Sequence, residues 1–186
     1  MSNFGIVEGF FGPPWSDDDR KSYAPFLSKY GANFYIYAPK KDSNLRKNWR
    51  SNWTNEYLAG LKELKDIFQS HRIKFGVGLS PFALGEILSE KDKNILKEKS
   101  LILSDLGIDI LGIFFDDMKS HECLTDIQIS VVKEIESCFK KEIIFCPTFY
   151  TFDPILEKVF GKMPSQYMES ISLNIPNQIK FAWTGP

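Results

Sequence analysis

The chain of 186 residues is 43% hydrophobic and has a net charge of −1, which is typical of a globular domain with one sizeable core. This balance gives no indication of a nucleic-acid or membrane-surface partner. No apolar run approaches the length of a membrane-spanning helix, and the segment MSNFGIVEGFFG lacks the basic start of a signal peptide. We therefore expect a cytoplasmic protein.

Six short apolar runs predict six buried strands. Each run is rich in β-branched and aromatic residues and is apolar on both faces, as in strands of a parallel sheet. The runs cover residues 4–11, 32–38, 73–79, 108–115, 142–148 and 178–183.

Amphipathic stretches between these runs predict helices. Ser16 and Asp19 have the spacing of a capping box that opens a helix over 17–30, and Gly31 is suited to end it. Residues 55–70 carry apolar side chains at helical spacing. The same pattern predicts helices over 92–106, 125–140 and 164–174.

Alternating strands and helices indicate an α/β fold, for which two architectures compete. A doubly wound sheet that binds a nucleotide usually has a GxGxxG turn after its first strand, whereas this chain has GFFGPPW there. A TIM (β/α)8-type barrel places its chemistry at the carboxyl ends of its strands. Polar or distinctive residues follow every predicted strand and favour the barrel: Glu8, Lys40, Ser80, Asp116 with Asp117, Thr148 with Tyr150, and Trp183 with Thr184.

The number of strands predicts how much of a barrel is present. Strands recur about every 35 residues, the usual size of a βα repeat, so eight repeats would need about 280 residues. The chain contains only about six βα units. We therefore expect a single catalytic-barrel domain over residues 1–186, incomplete at its C-terminus.

The run GIFFDD, residues 112–117, ends on two adjacent carboxylates. Side chains alternate between the two faces of a strand, so Asp116 and Asp117 can reach one pocket only where the strand ends. Two carboxylates so close are not easily ionised together, so we expect one to hold a proton while the other is charged. A glycosidase needs this division between a proton donor and a stabilising anion.

Two other interpretations of the acid pair remain open. An Asp-Asp pair after a strand can simply start a loop and cap the next helix. A divalent metal site would need further carboxylates, and Glu8 is the obvious one at another strand end. The two histidines, His71 and His121, lie near no serine or cysteine motif, so a catalytic triad is not expected.

Five segments resemble, in the same order, signature segments of the family 84 glycoside hydrolases. These are retaining β-N-acetylglucosaminidases that include O-GlcNAcases and hyaluronidase-type enzymes. The resemblance spans the whole chain. Its segments are GIVEGFFGPPW (5–15), YIYAPKKD (35–42), FFDDM (114–118), CPTFY (146–150) and WTGP (183–186).

The resemblance implies a (β/α)8 barrel that removes terminal β-linked N-acetylglucosamine from glycans or O-GlcNAc-modified protein, with no metal or other cofactor. In that family the 2-acetamido oxygen of the sugar is the nucleophile, and an oxazoline intermediate forms. The resemblance assigns Asp116 to orient the acetamido group and stabilise the oxazoline. It assigns Asp117 as the general acid that later becomes the base.

The resemblance also implies four substrate-binding positions. Gly9 matches a residue whose backbone carbonyl faces the sugar, and a glycine permits this close approach. Lys40 matches a lysine that contacts the sugar, and Tyr150 matches a tyrosine near the acetamido pocket. Phe11 stands where the family usually has tyrosine, so a hydroxyl beside the pocket is lost.

Two other departures from the family's pattern support an alternative to an active enzyme. Pro13 stands where the family often has arginine. The family's last two strands supply groups that bind the sugar hydroxyls, and the sequence stops at Pro186 before any such segment. The alternative to an active enzyme is therefore a non-catalytic or truncated glycan-binding remnant of such a barrel.

Overall fold

In a computed structural model, which describes residues 4–184, the six predicted strands are all present. They form one sheet in which every neighbouring pair is parallel. The strands are β1 Gly5–Glu8, β2 Phe34–Tyr37, β3 Lys74–Leu79, β4 Ile110–Phe114, β5 Glu142–Cys146 and β6 Lys180–Phe181.

The strand order decides between the two architectures. The sheet runs β1-β2-β3-β4-β5-β6 without a reversal. A doubly wound sheet reverses its order at a switch point, whereas a barrel keeps each strand beside the one before it. The fold is therefore α/β of the TIM (β/α)8 type, with about six βα units in this chain.

All five predicted helices are confirmed, and two short segments were not predicted, namely one α-helix and the 3-10 helix Ser43–Leu45. The helices are α1 Asp17–Lys29, α2 Asn55–Ser70, α3 Glu90–Asp105, α4 Leu124–Cys138, α5 Ile155–Phe160 and α6 Tyr167–Asn174. The unpredicted α-helix is α5, whose six residues are too few to show a helical period. No helix within residues 4–184 is long and apolar enough to cross a membrane.

The capping box at the start of α1 forms as predicted. The Ser16 hydroxyl accepts a hydrogen bond from the Asp19 amide at 3.1 Å, and the Asp19 carboxylate accepts one from the Ser16 amide at 3.0 Å. The chain leaves the helix through Gly31, whose φ of +80° favours glycine.

The two faces of the sheet differ in what covers them. The helix side holds the large core, to which β4 contributes Leu111 and Ile113. The opposite face holds a small apolar cluster that includes Ile110, Phe114 and Cys146. A Cβ at Gly78 or Gly112 would come within 2.4–2.5 Å of the Phe114 ring, so these glycines make room for it. The candidate site lies next to this small cluster.

The structure corrects the placement of Glu8 among the polar groups of the barrel mouth. Its side chain is fully buried, and the Arg20 guanidinium donates to its two oxygens at 2.8 and 2.9 Å. The Tyr35 hydroxyl donates to the same carboxylate. Glu8 is thus part of a buried ion pair between β1 and α1, and it does not join Asp116 in a metal site.

Candidate active site

The paired acids lie where β4 ends. The last residue of the strand is Phe114, and the Met118 amide donates to the Phe115 carbonyl at 3.1 Å, which closes a turn around both acids. This turn allows the two adjacent side chains to reach the same group. The Lys40 ammonium lies 2.6 Å from Asp116 Oδ2 and 2.7 Å from Asp117 Oδ2.

Lys40 is held by the loop that follows β2. Its side chain is only 5% exposed, compared with 27% for Asp116 and 20% for Asp117. The Asp42 carboxylate accepts hydrogen bonds from the hydroxyls of Tyr37 at 2.9 Å and Tyr57 at 2.8 Å. Burial, and then the charge of Asp42, raise the pKa of both tyrosines, so they remain donors at neutral pH. These bonds fix the loop and thereby the lysine.

Arg46, from the same loop, is a site residue that the sequence analysis missed. Its guanidinium lies 3.4 Å from Asp117 Oδ2 and between two aromatic rings, 5.6 Å from the centroid of Phe11 and 5.3 Å from that of Phe82. Its side chain is 13% exposed, and its buried Nε atom has no hydrogen-bond partner within residues 4–184. No motif marked this arginine; only its place in the Lys40 loop could have suggested it.

Asp116 lines a pocket of about 300 Å³ at the ends of β4, β5 and β6. The other lining residues are Cys146, Tyr150, Ala182, Trp183 and Thr184. Burial, and then the charge of Asp116, raise the pKa of Tyr150, which keeps its hydroxyl protonated. Asp116 Oδ1 is buried and has no hydrogen-bond partner among residues 4–184, so within this part of the chain no group competes with a ligand for this acceptor.

Asp117 lines a second pocket, on the other side of the pair. This pocket has a volume of about 370 Å³ and is also lined by Arg46, Phe82, Leu84, Met118 and His121, among others. The sequence predicts that both carboxylates share one pocket. The structure instead places the two carboxylates at the junction of two pockets. The ammonium of Lys40 contacts both carboxylates there.

The remaining predicted site residues lie on the loop after β1. The Phe11 ring is 67% exposed and 6.0 Å from the Lys40 ammonium, so it borders the acid pair. Gly9 is half-buried, and a Cβ there would meet only Val7, at an ordinary 3.5 Å. Three of the predicted site residues therefore lie close to the acid pair: Phe11, Lys40 and Tyr150. The contact of Gly9 with the substrate stays a prediction.

A buried polar network connects the ends of β4 and β5. The Thr148 hydroxyl donates to the Phe115 carbonyl at 2.8 Å and accepts from the Gln128 amide at 2.7 Å. The Tyr167 hydroxyl donates to Gln128 Oε1 at 2.5 Å and accepts from the Thr148 amide at 3.1 Å. This network links Phe115, the residue before Asp116, to the segment that connects β5 with Tyr150.

The described residues contain no cluster of metal ligands. Across residues 4–184, no three histidine, cysteine, aspartate or glutamate side chains are grouped closely enough to hold a metal ion. Among these residues, two side-chain cations lie beside the acid pair: the ammonium of Lys40 contacts both carboxylates, and the guanidinium of Arg46 contacts Asp117.

Comparison with known proteins connects this arrangement to one family. Residues 4–186 match the family described as beta-N-acetylglucosaminidase. The Protein O-GlcNAcases of Rattus norvegicus and Mus musculus are each 30% identical over 193 residues, covering 98% of this chain and 21% of theirs. A solved structure of a mutant Thermobaculum terrenum O-GlcNAc hydrolase is 33% identical with a TM-score of 0.80, covering 99% of this chain and 41% of that chain. The chain thus spans 21% of the length of the curated relatives it matches.

Proposed function

The chain belongs to the β-N-acetylglucosaminidase family, family 84 of the glycoside hydrolases, and from this premise we propose that it hydrolyses terminal β-linked N-acetylglucosamine with retention of configuration. The substrate is a glycan or an O-GlcNAc-modified protein. The acetamido group of the sugar acts as the nucleophile. One feature carries the proposal: two adjacent carboxylates reach a single buried ammonium at a strand end, between two pockets.

The pocket beside Asp116 receives the sugar. Asp116 Oδ2 is held by Lys40, while Oδ1, which is buried without a partner in the described part of the chain, accepts the acetamido N–H. This hydrogen bond orients the acetamido oxygen towards C1 and stabilises positive charge as the ring closes. Tyr150 and Trp183 line the same pocket, and an aromatic ring suits the apolar face of a sugar.

Asp117 transfers the protons. In the first step, the acetamido oxygen bonds to C1, the bond from C1 to the leaving oxygen breaks, and the carboxyl of Asp117 gives its proton to that oxygen. In the second step, the Asp117 carboxylate takes a proton from water, whose oxygen bonds to C1 and opens the oxazoline. Two displacements at C1 retain its configuration, and the protein supplies no covalent nucleophile.

Lys40 gives the two acids their geometry and balances their charge. Its ammonium is nearly excluded from solvent and stays within 2.7 Å of both carboxylates. A buried cation at this position stabilises the negative charge that remains on the pair at each stage of the reaction.

The test is hydrolysis of 4-methylumbelliferyl β-N-acetylglucosaminide by the wild type, Asp116→Asn and Asp117→Asn. We expect release of the fluorophore by the wild type and a β-configured first product by NMR. Each variant should lose about 100-fold or more in kcat. Equal rates in all three proteins, or an α-configured first product, would remove the proposed mechanism.

A further inference from the structure

The pocket on the Asp117 side has a chemical character different from that of the sugar pocket. Phe82, Leu84 and Met118 give it apolar walls, and buried core residues form its floor. Its most enclosed charged group besides Asp117 is Arg46. An apolar cavity of about 370 Å³ with a single enclosed cation suits an apolar group that bears a hydrogen-bond acceptor.

Arg46 is held rigidly enough to act as the polar anchor of this pocket. Its guanidinium lies between the rings of Phe11 and Phe82. The adjacent chain is also fixed, because the Ser80 amide donates to the Leu45 carbonyl at 2.8 Å and the Trp49 indole donates to the Phe82 carbonyl at 2.9 Å.

The guanidinium of Arg46 has a buried donor without a partner among the described residues. Its Nη2 atom approaches Asp117 at 3.4 Å, whereas its buried Nε–H has no partner among the described residues. A buried donor without an acceptor is costly, and an acceptor oxygen on a ligand would remove that cost.

The order of groups across the site indicates which part of the substrate enters this pocket. A general acid must lie within hydrogen-bond reach of the glycosidic oxygen, which joins the sugar to its leaving group. Asp116 faces the pocket with Tyr150, and Asp117 faces the pocket with Arg46. If the sugar occupies the first pocket, its leaving group extends into the second.

We propose that the pocket formed by Arg46, Phe82, Leu84 and Met118 is the leaving-group site, and that it selects an apolar leaving group carrying a carboxylate or carbonyl oxygen over a second sugar. Arg46 donates its Nε–H to that oxygen and determines the specificity. This inference rests on the proposed function, because that function places the sugar beside Asp116.

Binding of non-hydrolysable thioglycosides tests the selection without requiring turnover. The ligands are the methyl, 4-ethylphenyl and 4-carboxyphenyl 1-thio-β-N-acetylglucosaminides, and calorimetry measures their dissociation constants. The wild type should bind the carboxyphenyl ligand about tenfold more tightly than its uncharged ethylphenyl analogue, the effect of one charge-assisted hydrogen bond. Arg46→Met should abolish this preference, so that the two aryl ligands bind with equal affinity.

Lys47→Met is the matched control, because Lys47 is the adjacent, exposed lysine and its substitution removes the same charge. This variant should keep the wild-type preference. Persistence of the preference in Arg46→Met would overturn the inference. Tighter wild-type binding of a thio-linked disaccharide than of either aryl ligand would do so too.

A second measurement separates failure of this inference from failure of the proposed function. With methionine methyl groups labelled by ¹³C, 4-hydroxybenzoate alone should shift the Met118 resonance but not that of Met168 on α6, and Arg46→Met should lose the shift. Binding of the methyl thioglycoside without a Met118 response overturns only the leaving-group assignment. A Met118 response without binding of any glycoside refutes the proposed function, and the leaving-group assignment with it.

Discussion

The hydroxyl of Thr148 donates a 2.8 Å hydrogen bond to the backbone carbonyl of Phe115, the residue immediately before the paired acids. Both residues are buried, and the bond joins the end of β5 to the end of β4. The position of Asp116 relative to Tyr150 therefore depends on side chains that do not line the Asp116 pocket.

Gln128→Leu should loosen this connection. The substitution removes the amide that donates to Thr148 and the amide oxygen that accepts from the Tyr167 hydroxyl. The side chains of Thr148 and Tyr167, which lose these partners, are both buried. We expect a loss of about 1–3 kcal/mol in the free energy of unfolding, measured by urea denaturation, because buried polar groups lose their partners. The value of kcat should fall while KM changes little, since the acids move relative to the sugar.

The control for Gln128→Leu is Ser137→Ala on the same helix. The Ser137 hydroxyl is exposed and bonds only to groups of its own helix turn and the adjacent Cys138. Its loss should change the free energy of unfolding by less than about 0.5 kcal/mol. Equal destabilisation by both substitutions would show that the network is not a special support of the site.

Lys40→Met should strongly reduce activity. The substitution keeps the length of the side chain but leaves two adjacent carboxylates without their shared cation. We expect kcat/KM for 4-nitrophenyl β-N-acetylglucosaminide to fall by about 100-fold or more. The neighbouring, exposed Lys41 supplies the matched control Lys41→Met, which should stay within about twofold of the wild type. Similar rates for the two variants would argue against a role of the Lys40 ammonium in the reaction.

The two acids should respond differently to the leaving group. Asp117→Asn should lose about 100-fold or more in kcat/KM on a phenyl glycoside, whose leaving oxygen needs a proton. On a 2,4-dinitrophenyl glycoside, which needs none, the loss should be less than about tenfold. Asp116→Asn should lose activity on both substrates, because the acetamido group must be oriented in either case. A loss by Asp117→Asn that does not depend on the leaving group would contradict its assignment as the acid.

Lys99 should make stability depend on pH in alkaline solution. Its ammonium is buried, lies 3.8 Å from the centroid of the Trp53 ring and donates to the Ser51 carbonyl at 2.9 Å. Burial lowers the pKa of Lys99 from 10.5 to about 8. The unfolded chain therefore binds more protons than the folded chain between these values, so Lys99 contributes stability that rises from about pH 8 upwards.

Urea denaturation at several pH values between 7 and 9.5 measures this effect. The wild type should gain stability relative to Lys99→Met as the pH rises above about 8. Lys91→Met, which removes an exposed lysine of the same helix, should follow the wild type. Parallel pH profiles for the wild type and Lys99→Met would show that Lys99 does not titrate in this range.

Local patterns in the sequence were sufficient for most of the fold. The capping box is formed by Ser16 and Asp19, which are close together in sequence. The apolar stripe of α2 also depends on sequence spacing within one helix, and it buries Leu61, Leu64 and Phe68. Helix α5 was missed because a six-residue helix has no periodic signal.

Glu8 shows where local patterns fail. Its position at a strand end resembles that of Asp116, yet its side chain lies in a buried ion pair. The difference arises from Arg20, which is far from Glu8 in sequence and reaches it only when α1 packs on the sheet. Spacing around Glu8 contains no information about that partner.

The sequence by itself determined the six strands and the five longer helices in their order, the end of β4 at the paired acids, and the family to which the chain belongs, because each depends on residues close together along the chain. Only the tertiary structure decided that Lys40 joins Asp116 to Asp117, that Arg46 lies between two aromatic rings, and that the acids face two pockets. These relations are distances between loops of different βα units, and such distances exist only after the sheet and its helices have packed.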